Sequence, residues 1–266
     1  MHRVLGLLIL IAVIACDTPL FHKKEKLPRG VQIVHRYYPN KAIKEILRVK
    51  RNKRHGLCKF YRQDGSLRAE YNYKYNKFHG SCTDYYSNGN VKLKGEYVEG
   101  LLNGKLIAYY KNGKIMSETE YKNNNKHGTE KRYYSNGKLK STGKYYLGYP
   151  GLGLKEYTSE GKLYTDYPAI EVYEIDRIAM ENTLYLKISL SDKSDRADFY
   201  ITELYMDKYL PDYTEEVYKD EGIATAEYKI YRGEMIMQEI NIIAEYKTHL
   251  GNIKLLTRKY NLAAKH

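Results

Sequence analysis

The chain has 266 residues, with 45 Lys+Arg against 32 Asp+Glu for a formal net charge of +13, and it contains 31 tyrosines, three cysteines and no tryptophan. The charge is unevenly spread. Residues 18–166 carry 31 basic against 13 acidic side chains, a balance of +18, whereas residues 167–266 carry 13 against 18, a balance of −5, which marks two domains. The apolar run at residues 4–15 is too short to serve as a transmembrane helix.

In chain order, His2 and Arg3 precede that run, which has the length of a signal-peptide core and ends in Val13-Ile14-Ala15-Cys16. This ending looks like a bacterial lipobox, in which the thiol of Cys16 takes a diacylglyceryl group and becomes the first residue of the mature protein. Acyl chains contribute about 0.8 kcal/mol per buried CH₂, so they anchor a protein without a spanning helix. The expectation is a lipoprotein signal peptide at residues 1–15, lipid attachment at Cys16 and a tether over 16–32, whose composition suits a linker. The protein is then held in the bacterial cell envelope, facing the periplasm or the cell exterior.

Residues 33–168 are governed by a 24-residue repeat. Gly65, Gly89, Gly113, Gly137 and Gly161 share this spacing, as do Tyr37, Tyr61, Tyr85, Tyr109, Tyr133 and Tyr157, and the column Tyr73, Tyr97, Tyr121 and Tyr145. Each copy carries two turn signals. The first is Asn-Gly or Asp-Gly, read as a tight hairpin turn with positive φ. The second is a looser stretch ending in glycine, at 54–56, 78–80, 102–104 and 126–128. Between them an aliphatic residue and a tyrosine share one strand face, with Gly95 and Gly143 leaving room for the rings. One repeat is therefore a two-stranded hairpin, and the array is a long antiparallel β-meander advancing about 9.6 Å per repeat. Lys41 in place of the turn glycine, and the irregular segment 147–153, read as array ends. Cys58 and Cys82 occupy one column of adjacent repeats, about 10 Å apart, and are expected not to pair.

This pattern resembles the bacterial variant of the MORN repeat, with a core like YYxNGxLKxxxxY and a closing HGxxxxYY. The matching residues are Asn-Gly at 88–89, 112–113 and 136–137, His-Gly at 55–56, 79–80 and 127–128, and tyrosine pairs at 85–86, 109–110 and 133–134. The resemblance covers residues 37–167. Members of this variant include YwqK-type antitoxins, so the resemblance implies a partner protein and carries little mechanism.

After Tyr167-Pro168, strand-like runs at 170–175, 183–190, 199–205, 224–231, 235–247 and 253–260 suggest that residues 169–266 form a small β-sandwich. The spacing is immunoglobulin-like, but the antibody-type Trp and Cys pair are missing, and 207–217 has room for a short helix. The whole chain is thus expected to be all-β, a repeat meander followed by a sandwich.

Catalytic motifs are not found: the sequence has no HExxH, GxSxG, phosphate-binding Gly-Lys-Ser/Thr loop or CxxC. His55, His79 and His127 belong to the turn motif and lie too far apart to share a zinc ion. No enzyme activity, cofactor or metal is expected. The strongest charge signal is a cluster of Lys44, Arg48, Lys50, Arg51, Lys53, Arg54 and Lys59 with tyrosines interleaved. In the cytosol such a mixture would suggest nucleic acid; a lipoprotein does not meet it, which leaves anionic lipid head groups, a phosphorylated envelope glycan or an acidic protein, or else a solvated surface that blocks edge pairing. The leading expectation is a membrane-anchored, non-catalytic binding or scaffold module of the envelope. The alternatives are an antitoxin or immunity protein acting through the repeat surface, and an enzyme with its site in the C-terminal domain.

Overall fold

The computed structural model describes residues 27–211 and 213–266. The segment expected to be a signal peptide, Cys16 and the expected tether up to residue 26 lie outside the described residues.

Two different tight turns generate the 24-residue period. In the first, only the glycine takes a positive φ, 82–95° at Gly65, Gly89, Gly113, Gly137 and Gly161. Its N–H donates three residues back, as Gly113 does to the Tyr110 carbonyl at 2.9 Å. The turn asparagine accepts from the residue beyond the glycine, as Asn88 Oδ1 does from the Asn90 N–H at 3.2 Å. This is a three-residue loop, a type I turn closed by a left-handed residue, and not the two-residue turn that Asn-Gly suggests. The two-residue turns, with both φ positive, fall instead at 51–52, 75–76, 99–100, 123–124 and 147–148; Tyr75 and Asn76 lie at 48° and 71°. The glycine-ended stretches expected to be turns lie one step further on, inside strands. Gly56, Gly80, Gly104 and Gly128 take φ of 92–115° directly opposite Tyr73, Tyr97, Tyr121 and Tyr145.

These turns join β1 (Gln32–Tyr37), β2 (Ile43–Lys50), β3 (Lys53–Arg54), β4 (Gly56–Tyr61), β5 (Leu67–Lys74), β6 (Lys77–Tyr85), β7 (Val91–Val98), β8 (Leu101–Tyr109), β9 (Ile115–Lys122), β10 (Asn125–Tyr133), β11 (Leu139–Tyr146), β12 (Tyr149–Pro150) and β13 (Lys155–Glu156) into one 13-stranded antiparallel sheet. One face changes character along the array. Its central row runs Cys58, Tyr71, Cys82, Gly95, Leu106, Thr119, Glu130 and Gly143, apolar at the start and polar towards the end. A Cβ on Gly95 would stand 3.1 Å from the Tyr97 ring, so this glycine does make room for the aromatic column. Cys58 and Cys82 flank Tyr71 two strands apart and are free thiols, as the register predicts. The opposite face is charged, with the row Lys59, Glu70, Thr83, Lys94, Ile107, Glu118 and Lys131.

The rest of the chain forms two sheets around one apolar core. The strands are β14 (Ile170–Arg177), β15 (Thr183–Leu190), β16 (Ala197–Ile201), β17 (Lys219–Asp220), β18 (Ile223–Lys229), β19 (Met235–Lys247) and β20 (Ile253–Lys265), with a four-residue helix α1 (Ile178–Glu181) after the first. The orders are β14-β15-β18-β17 and β16-β19-β20. Lettered A to G along the chain, they read A-B-E-D and C-F-G, the order of a constant-type immunoglobulin sandwich. Leu186, Ile188, Phe199, Ile242 and Ala244, drawn from both sheets, are fully buried between them. The short helix allowed at 207–217 is not formed. There the chain makes a turn closed by Tyr205 and Tyr209, and the edge of that turn binds the repeat array.

The array meets the sandwich through this C–D connection and the loop between β19 and β20. Gly151 pairs with Tyr209, and a Cβ there would lie 2.8 Å from the Tyr209 ring. Glu156 is fully buried and accepts hydrogen bonds from Tyr167 OH at 3.0 Å, Thr248 Oγ1 at 2.8 Å and Asn252 Nδ2 at 2.5 Å. Arg132 of β10 donates to Asn252 Oδ1 at 2.9 Å.

Candidate functional site

The tyrosine pairs that define the repeat act within the sheet. The second tyrosine of each pair donates its hydroxyl to a main-chain carbonyl 23 residues on: Tyr86 to Tyr109, Tyr110 to Tyr133 and Tyr134 to Tyr157, each at 2.7 Å, and Tyr38 to Tyr61 at 2.9 Å. Arg62 replaces tyrosine in one copy and reaches the equivalent carbonyl of Tyr85. The turn asparagines repeat the theme, as Asn88 Nδ2 does to the Lys111 carbonyl at 3.0 Å. The first tyrosine can face a carboxylate; Tyr85 OH donates to Glu70 at 2.8 Å, and burial together with that bond pushes its pKa up to about 12. The second-tyrosine column therefore holds repeat to repeat, and the hydroxyls of Tyr38, Tyr86, Tyr110 and Tyr134 are engaged in the sheet.

The basic cluster maps to the N-terminal end of the array but is not one patch. Strand alternation puts Lys44, Arg48 and Lys50 on the charged face of β2, and the turn brings Lys53 opposite Lys50, with Arg51 exposed at its tip. Lys59 is on the same face but paired with Glu70 at 2.9 Å, a bond that raises its pKa. Arg54 is on the other face, opposite Val49. Its guanidinium lies 5.3 Å from the Tyr73 ring centroid and donates to Tyr73 OH at 3.2 Å.

Sequence reasoning missed β1. Among the described residues it is the outermost strand of the sheet, pairs only with β2 and is exposed along its whole length. Its β-branched residues Ile33 and Val34 were a strand signal that the repeat register did not include. Beside it, an open groove of about 470 Å³ runs over Val34, Leu47 and Val49, with Arg36 and Arg54 on its walls.

Other reactive groups remain separate. His55 and His127 stack on Tyr75 and Tyr146, with ring centroids 4.7 and 5.2 Å apart. Among the described residues no three His, Cys, Asp or Glu side chains come together to hold a metal ion. Burial raises the pKa of both array thiols, that of Cys82 to about 11, which keeps them protonated and poor nucleophiles. In the sandwich, Asp198 and Glu245 are cross-strand partners; Lys219 pairs with Asp198 and Asp195 at 2.9 and 2.8 Å, while burial and the neighbouring carboxylates raise the pKa of Glu245. Among the described residues no histidine or cysteine is hydrogen-bonded to this group.

No curated protein matches the chain. Four stretches, residues 54–75, 78–99, 102–123 and 126–146, match the MORN repeat variant, each beginning just before an in-strand glycine bulge and ending at a two-residue turn. Repeats of this kind are generally binding or scaffold modules and typically non-enzymatic.

Proposed function

We propose that this protein is a lipid-anchored, non-catalytic binding module of the bacterial cell envelope, with Cys16 holding the tether and the basic end of the array facing an acidic envelope partner. The observation that carries the reading is the construction of the array. Tyrosine and asparagine side chains are spent on joining repeats, while Lys44, Lys50, Arg51 and Lys53 gather on one face and the adjoining turn of a single-layer sheet, at the end closest in sequence to Cys16. Each basic residue near an anionic membrane surface contributes about 1 kcal/mol of attraction. Among the described residues the histidines and thiols lie apart from one another and from the carboxylate group around Lys219, which favours the non-catalytic reading.

The test has two arms. Cys16→Ser should move the protein from the detergent phase to the aqueous phase and abolish globomycin-sensitive processing; a wild type that partitions into water removes the anchor from the proposal. The unacylated full chain should bind anionic vesicles better than neutral ones at 0.1 M salt and lose that preference at 1 M, where the Debye length falls from about 10 Å to about 3 Å. Indifference to vesicle charge at low salt would reduce the lysines to a solubility device. Capture of a toxin that the chain then neutralises would favour the antitoxin reading.

A further inference from the structure

We infer that the outer edge of β1 is a docking site for an extended acidic peptide, which pairs with Gln32–Tyr37 as an additional strand of the sheet. Sheets normally protect a free edge with a proline, a lysine, a covering loop or a very short strand. β1 has six residues, with neither proline nor lysine, and all six are exposed, Ile33 at 44% and Val34 at 38%; its one arginine, Arg36, is turned to Glu45 at 3.3 Å, and the register shift falls at its last step, between Arg36 and Tyr37. A strand that added here would satisfy the outward main-chain groups of β1, and its side chains would alternate between the two faces.

The two faces differ at this edge. On one, Val34 is opposite Leu47, Gln32 is opposite Val49, and Leu47 is the buried start of the apolar cluster with Cys58 and Phe60. This face offers the floor of the groove to apolar side chains. On the other, Ile33 is opposite Arg48 and His35 opposite Ile46, with Lys44 and Lys50 on the same face of β2. This face asks for carboxylates. Alternating acidic and apolar residues meet both requirements, and charge complementarity sets the choice.

The same charge disfavours other occupants. A second copy would bring two basic ends together across the edge. The chain's own residues 17–26 contain Lys23, Lys24 and Lys26 against Asp17 and Glu25, and folding back would set them beside Arg36 and His35. The inference rests on the array being a binding module, but it concerns main-chain pairing at one strand and has its own readout.

The probe is a labelled eight-residue peptide of alternating glutamate and valine with blocked ends, titrated into the unacylated full chain. It should bind at low salt at least tenfold more tightly than the lysine–valine peptide. His35→Pro, which removes an N–H from the outer side of β1 and leaves the bonds of Gln32, Val34 and Arg36 to β2 in place, and separately the double change Lys50→Glu with Lys53→Glu, should each weaken it at least fivefold. His35→Pro should leave vesicle binding as in the wild type, so that failure here is distinguishable from failure of the anchored-module reading. Equal binding of the two peptides, or binding untouched by both variants, overturns the proposal. So does a stable dimer abolished by His35→Pro, which would make the occupant a second copy. A more than tenfold gain in affinity on removing residues 17–26 would assign the edge to the tether and also overturn it.

Discussion

Lys41 shows what the turn glycine does. It stands where later copies have glycine and still takes a left-handed φ of 67°, with its N–H donating to the Tyr38 carbonyl at 2.9 Å. The opening copy departs from the pattern in residue type but keeps the turn and bears the Cβ strain. A residue with a Cβ in this region costs about 1 kcal/mol relative to glycine. Lys41→Gly should therefore raise the melting midpoint by about 2 °C for a chain of this size. Gly113→Ala should lower it by a similar amount, because the space around Gly113 is open, with its nearest neighbour 3.9 Å away, and only the backbone resists. Calorimetry on the two variants gives shifts of opposite sign; a fall with Lys41→Gly would mean that the lysine side chain stabilises the end of the array by more than its backbone strain costs.

Among elements, the hairpins are individually marginal, and the bonds that skip from one repeat to the next make them a sheet. Tyr110 isolates this contribution. Its hydroxyl reaches the Tyr133 carbonyl at 2.7 Å, whereas Tyr109 beside it makes no side-chain hydrogen bond among the described residues. Tyr110→Phe should cost about 1 kcal/mol, and Tyr109→Phe should stay within about 0.5 kcal/mol of the wild type; urea titration of both checks this, and equal losses would show that the rings matter and the hydroxyls do not. The sequence made these columns visible because each has one residue type at a fixed spacing. It concealed the two-residue turns because five different pairs fill them: Arg51-Asn52, Tyr75-Asn76, Glu99-Gly100, Asn123-Asn124 and Leu147-Gly148. The shared property is a positive φ, which asparagine and glycine adopt easily and the preceding residue accepts under the constraint of strand twist. The candidate site was legible as charge but not as geometry, since only strand alternation reveals that Arg54 faces away from Lys50.

At the scale of the whole molecule, the sandwich could be anticipated from strand spacing, but its union with the array could not. The residues involved lie 92 and 96 positions apart in Thr248 and Asn252 paired with Glu156, and nothing local marks Glu156 as different from the solvated glutamates around it. Folding makes it a fully buried carboxylate whose desolvation is offset by three donors, with Lys254 close by, donating to the Leu154 carbonyl at 3.1 Å and lying 4.2 Å from the Tyr167 ring centroid. Burial lowers the pKa of that lysine, while Glu156 acts to raise it. Hydrogen bonds to a charged group contribute about 1.5–3 kcal/mol each, and a buried donor left unmatched is costly. Glu156→Gln keeps the shape but turns an amide NH₂ towards groups that themselves donate. It should therefore weaken the junction by about 2 kcal/mol or more, without touching the apolar core of the sandwich or the tyrosine ladder of the array. The expected calorimetric result is that a single unfolding transition separates into two, the array melting first because it is a single-layer sheet with a small apolar cluster. A variant that still melts in one transition at the wild-type midpoint would show that the Gly151–Tyr209 bridge and the flanking main-chain bonds, Leu152 N–H to the Lys208 carbonyl and Leu210 N–H to the Pro150 carbonyl, hold the two parts together without the carboxylate.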